Sequence, residues 1–234
     1  MKCHLCLQER ELCESHIIPE FFYRDSYDDK HKMSILKEQD PRIYRSFTGE
    51  YEKLLCVDCE RFLNRTYENY FDNFWYNKRT LPAYYHHSVF VVKGMDWIKF
   101  RLLMLSILWR ASISSRETFS KISLGEHEER IRVMIKNQDP GDFLSYQIFG
   151  ALLLFPGKKR VMRDFIIAPF MDHFNGVPVS ISMFGGCIWY CVIANKPLTQ
   201  SFALSPYGVL RLPVHDAFDV KPIVSFLRDR LLIH

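Results

Sequence analysis

The chain has 234 residues, a net charge of +4, 25% charged and 48% hydrophobic residues, a composition that excludes a disordered or collagen-like chain. Its mild basicity admits a nucleic-acid partner without demanding one. No apolar segment of signal-peptide type follows Met1-Lys2-Cys3-His4, and the longest apolar run, Leu102 to Trp109 between Arg101 and Arg110, is far shorter than the roughly 20 residues of a membrane span.

The expectation is therefore a soluble, cytoplasmic protein with no membrane partner, in which cysteines serve as metal ligands or buried thiols rather than disulfides. The length fits one large domain or two small ones, and the chain reads as three stretches.

The first stretch, 1–80, carries two Cys-x2-Cys pairs. Pro41–Phe47 and Tyr51–Cys56 are β-prone runs around Thr48-Gly49-Glu50, which predicts a hairpin. Beyond Cys59, the residues Phe62, Leu63, Tyr67, Tyr70, Phe71 and Phe74 recur at helical spacing. The second stretch, 81–140, is expected to be helical. Trp97, Phe100, Leu103, Met104, Ile107 and Leu108 give one wide apolar face on a helix starting near Gly94-Met95-Asp96. A second helix is expected over 126–136, with Glu128 and Glu129 facing Arg132, before the breaker Asn137-Gln138-Asp139-Pro140-Gly141.

The third stretch, 141–234, reads mainly as strands: 148–155, 165–168, 177–183, 187–194 and 208–212. Turns at Pro156-Gly157-Lys158 and Asn195-Lys196-Pro197 separate them, and an amphipathic helix over Val220–Leu232 closes the chain. The class is α+β, with a mainly antiparallel C-terminal sheet.

Cys3-x2-Cys6 and Cys56-x2-Cys59 offer four sulfurs for one tetrahedral zinc ion, because a two-residue spacer lets both thiolates of a knuckle reach the same metal. The long interval between the pairs must itself be folded. Cys13, Cys187 and Cys191 are left as buried thiols, and His4 as an exposed residue, since four sulfurs complete the zinc. His86-His87 precede a strand-like run and carry no ligand spacing. Lys158-Lys159-Arg160 with Arg163 reads as a solvated hairpin tip, with phosphate contact as the alternative.

Between the knuckles stands Ser15-His16-Ile17-Ile18-Pro19, and Glu60 follows Cys59 directly. The order CxxC, His-x2-Pro, CxxC-ligand over about residues 3–70 resembles the zinc-containing HNH, or His-Me finger, endonucleases. The resemblance implies a zinc-bound ββα finger. It makes His16 the general base that activates water, and Glu60 a ligand of a catalytic Mg2+ or Mn2+, with Asn64 one helical turn on in support. Ser15 stands where the family has Asp, and no Asn occurs between His16 and Cys56.

The implied activity is metal-dependent hydrolysis of DNA, in a setting such as bacterial or phage-related antiviral defence. A homo-oligomer or a protein partner is compatible with the remaining two-thirds of the chain. The alternative is a catalytically degenerate zinc finger that binds nucleic acid or protein; Ser15 favours it.

Overall fold

The computed structural model describes residues 1–27, 29–30, 33–37, 40–46, 49–194, 198, 205–221 and 224. Strand β1 (Leu12–His16) pairs antiparallel with β4 (Tyr51–Cys56), from Leu12 opposite Cys56 to His16 opposite Tyr51, and helix α1 (Val57–Leu63) follows β4 without a loop. The segment between β1 and β4 contains a short 3-10 turn, Glu20–Ser26, and a separate hairpin of β2 (Met33–Lys37) and β3 (Asp40–Ser46).

This corrects the hairpin expected between Pro41–Phe47 and Tyr51–Cys56. β3 turns back on β2, while β4 takes the distant β1 as its partner. Gly49 is not a turn tip but is buried under Tyr23, where an added Cβ would lie 2.4 Å from the ring. The Ile17 N–H donates to Glu50 O at 3.0 Å, which extends the β1–β4 ladder. Phe47 and Thr48 lie outside the described residues.

From α1 the helix runs on through a π turn (Asn64–Glu68), α2 (Asn69–Asp72) and a second π turn (Asn73–Asn77). The sequence accounts for both π turns. Cys59, Leu63, Tyr67, Phe71 and Trp75 are all buried and recur every fourth residue. An α-helix with 3.6 residues per turn would carry such a stripe around the axis by about 40° at each step. The wider π turns unwind the helix and hold the stripe on one side.

Helix α3 (Trp97–Ile113) opens at Asp96, whose carboxylate accepts the Lys99 N–H at 3.0 Å. Every residue from Phe100 to Ala111 is buried, so this helix is enclosed on all sides rather than amphipathic with one wide face. The Phe100 ring lies 5.2 Å from Phe71 and 5.3 Å from Trp189, between the finger helix and the sheet. Helix α4 (His127–Asn137) ends where Gln138 adopts a left-handed φ of 57°. Arg132 pairs with Glu129 at 2.6 Å, whereas Glu128 accepts from Ser112 Oγ.

The C-terminal sheet has six strands in the order β5 (Val89–Val92), β10 (Leu210–Asp216), β6 (Ile148–Leu154), β9 (Cys187–Val192), β8 (Val177–Phe184) and β7 (Ile167–Phe174). All neighbours are antiparallel except β10 and β6. Pro213, which lacks an N–H, sits where β10 passes from its pairing with β5 to its pairing with β6. β7 runs past Pro169, further than the sequence suggests, because it is an edge strand with a register shift at that point.

β5 lies in the stretch expected to be helical, yet it forms the other edge of this sheet. The turn at Asn195-Lys196-Pro197 and nearly all of Val220–Leu232 lie outside the described residues.

One hydrophobic core runs from Cys3 through α3 to Leu212, and a second covers the opposite sheet face around Phe149, Val179 and Ile188. Among the described residues no helix is long and apolar enough to cross a membrane.

Leu103 is fully buried in α3, so Leu103→Ala should lower the unfolding free energy by about 2–5 kcal/mol in denaturant titrations.

Glu52 on β4 pins the end of α3 to the finger, accepting from Ser114 Oγ and Ser115 Oγ at 2.6 Å each and from Ser115 N–H at 3.0 Å. Burial alone would raise its pKa, but these donors and Arg116 bring it below the ordinary 4.5. A carboxylate with a depressed folded pKa stabilises above its unfolded pKa and loses that contribution as the pH falls through the folded value. Glu52→Gln should therefore lower Tm at neutral pH, and its Tm should converge on wild type as the pH drops below about 4.5.

Candidate functional site

The first knuckle is a tight turn closed by Leu7 N–H to Cys3 O and by Cys3 N–H to Gln8 O, both 2.9 Å. Leu7 adopts a left-handed φ of 61°, which costs an L-residue about 1–2 kcal/mol and signals a turn imposed from outside. His4 N–H donates to Leu54 O at 3.1 Å, fixing this turn to β4. The second knuckle begins at Cys56, the last residue of β4, and places Cys59 in the first turn of α1.

The four sulfurs lie within 4.8 Å of one another, with Cys6 Sγ 3.9 Å from Cys56 Sγ. A tetrahedron of Zn–S bonds of about 2.3 Å has sulfurs about 3.8 Å apart, so the set fits zinc. Cys56 N–H donates to Cys3 Sγ at 3.2 Å, a bond suited to a thiolate. Burial and the adjoining sulfurs push the Cys59 thiol well up, a crowding that a dication reverses.

Four thiolates around Zn2+ leave a net charge of −2, and two guanidiniums stand near them. Arg10 pairs with Asp58 and feels Cys56 and Cys6, while Arg132 feels Cys6 and donates to Leu5 O at 2.6 Å. His4 is exposed, Cys13 half-buried, and Cys187 and Cys191 buried.

Directly beside this centre β1 delivers Ser15 and His16 against α1. Ser15 is fully buried and faces Glu60, near enough to pull that carboxyl down, yet neither Ser15 Oγ nor Glu60 Oε2 closes a well-formed hydrogen bond. Burial pushes the Glu60 carboxyl above its usual range. Arg110, Ser15 and His16 act against that rise, and Glu68 adds to it. His16 Nε2 lies 3.0 Å from Glu20 Oε2, an ion-pair contact rather than a directed hydrogen bond.

The floor of the cluster is a buried ion pair. Arg110 is wholly enclosed and donates to Glu68 Oε1 at 2.8 Å and to the His16 carbonyl at 2.6 Å. It thereby holds the backbone of His16 while setting its charge near Glu60.

The structure thus sets Ser15 against Glu60, with His16 next along β1 and its ring on Glu20. Asn64 is exposed one turn further on and takes part in none of these contacts. Glu20, Glu68 and Arg110 join the cluster without having been singled out from sequence. The sequence signals that could have found Arg110 and Glu68 are an arginine flanked by Trp109 and Ala111 inside an apolar helix and a glutamate eight positions after Glu60 on the same helix. Among the described residues, the four cysteines are the one group of three or more His, Cys, Asp or Glu whose ligand atoms close on a common point. No protein-family model matches the chain, nor does any curated protein or solved structure.

Elemental analysis of protein purified without chelators should give one zinc per chain. Cys56→Ser should lose that zinc and destabilise the finger, because binding energy at a structural zinc is folding energy. A metal-free wild type that melts like the purified protein would contradict this assignment.

Proposed function

We propose that the chain is a metal-dependent endonuclease of the HNH, or His-Me finger, type acting on DNA, with the cysteine-bound zinc as its structural frame. One observation carries this reading. Ser15 Oγ and Glu60 Oε2 are buried side by side without a well-formed hydrogen bond, next to His16 and its Glu20 contact, on an antiparallel strand pair and helix closed by the four cysteines. Each orphaned buried polar atom costs about 1–3 kcal/mol. Two such atoms at one strand end and one helix start make sense as groups kept for a ligand.

In this reading His16 takes the proton from the attacking water, the general-base role that a histidine side chain most often fills. Glu20, against Nε2, orients the ring. Arg110 fixes the His16 backbone through its carbonyl. Glu60 and the Ser15 hydroxyl would hold a divalent cation such as Mg2+ or Mn2+. When bound, that cation offsets charge developing on the phosphate and the leaving oxygen.

The second reading is a zinc finger that binds nucleic acid or protein without cutting. The Glu20 contact on His16 Nε2 and the burial of Ser15 favour it.

Plasmid cleavage separates the two. With Mg2+ or Mn2+ the zinc-loaded wild type should nick or linearise DNA, and His16→Ala should be slower by about 100-fold or more with its zinc retained. Glu60→Ala should weaken the response to Mg2+ more than it weakens DNA binding. Silence of the wild type on DNA and RNA with Mg2+, Mn2+ and Ni2+ would end the nuclease reading.

A further inference from the structure

Away from the finger, two stretches that carry no acidic residue, 78–87 and 158–163, are brought side by side. Tyr84 bridges Arg160, Tyr85 N–H donates to Lys159 O at 2.8 Å, and Val161 N–H donates to Ala83 O at 2.8 Å. Beneath them Leu81 and Val161 meet over Gly186, leaving no room for a side chain there. The backbone of the two stretches is therefore locked while their cations point outward.

Lys78, Arg79, Lys158, Lys159 and Arg160 are all exposed, and so is Tyr84, at 63%. Arg160 pairs with Asp164 and Arg163 with Asp25. Among the described residues no carboxylate pairs with Lys78, Arg79, Lys158 or Lys159. The Asp25–Arg163 contact at 2.9 Å, and that of Arg24 with Asp72 at 2.9 Å, tie this surface to the 3-10 turn that follows His16 and to the finger helix.

We propose that Lys78, Arg79, Lys158 and Lys159, on the two stretches joined at Tyr84 and Arg160, form a ridge that binds the phosphate backbone of DNA away from the cysteine cluster. The proposal deepens the nuclease reading and rests on it for the choice of DNA among polyanions. Unpaired cations on a rigid backbone suit sequence-independent phosphate contact. An exposed aromatic among them offers a face to sugar or base.

The test is fluorescence anisotropy of a labelled DNA duplex with the full zinc-loaded chain, without added Mg2+, over a series of salt concentrations. Lys158→Ala/Lys159→Ala should keep the zinc content and Tm of wild type. It should bind every duplex sequence more weakly, and its log Kd against log salt slope should fall by about 1 per lysine removed. A double variant with the wild-type Kd and salt slope would overturn the ridge, even if the protein cuts DNA. A wild type that binds through these lysines and never cuts would leave the ridge standing and remove the nuclease. A wild type that binds anionic vesicles or an acidic protein but no DNA would also overturn the ridge.

Discussion

Four sulfurs from two distant parts of the chain must share a volume a few ångströms across, and the N-terminal region is arranged to allow this. Closing the interval from Cys6 to Cys56 costs chain entropy, and the cost grows only slowly with loop length. A structural zinc therefore tolerates the whole β2–β3 insertion between its knuckles. Once the sulfurs converge, β1 must lie along β4 and α1 must start beside Ser15, as their register and hydrogen bonds show. Arg10 and Arg132 balance the residual charge, and Arg132 also ties α4 to the first knuckle.

The polar cluster inherits its geometry from that clamp, but its floor comes from elsewhere. Arg110 reaches in from α3, a helix otherwise sealed in apolar contacts. A buried ion pair adds little net stability compared with apolar residues of the same shape, whereas losing one partner is costly. Arg110 and Glu68 are thus better understood as fixing one arrangement of His16 than as strengthening the fold. Glu52, with its bonds to Ser114 and Ser115, binds the other end of β4 to the same helix. α3 is the common wall against which both the finger and the sheet are set.

What could be read from the residues was whatever depends on local chemistry and period. The cysteine spacing located the four sulfurs that cluster as a zinc site would require, Asp96 the start of α3, and the β-branched runs most strands of the sheet. Pairings between distant segments were not legible. Tyr51–Cys56 looked like half of a local hairpin because turn residues precede it, but the clamp hands it to β1. Val89–Val92 was too short to claim a place in a sheet whose other strands begin beyond residue 140. The π turns were present in the strict four-residue repeat from Cys59 to Trp75, a departure from 3.6 that is easily mistaken for ordinary helical spacing. Ser15, His16 and Glu60 were visible as a motif, but Arg110 and Glu68 meet them only in three dimensions.

Amide hydrogen exchange with and without zinc tests the dependence of the finger on its clamp most directly. Removing the metal should abolish protection across 12–16 and 51–63, while β6, β8 and β9 keep theirs, since their ladders close within the sheet and their other face packs in the second core. Unchanged protection of β1, β4 and α1 in the zinc-free protein would contradict the account at its base.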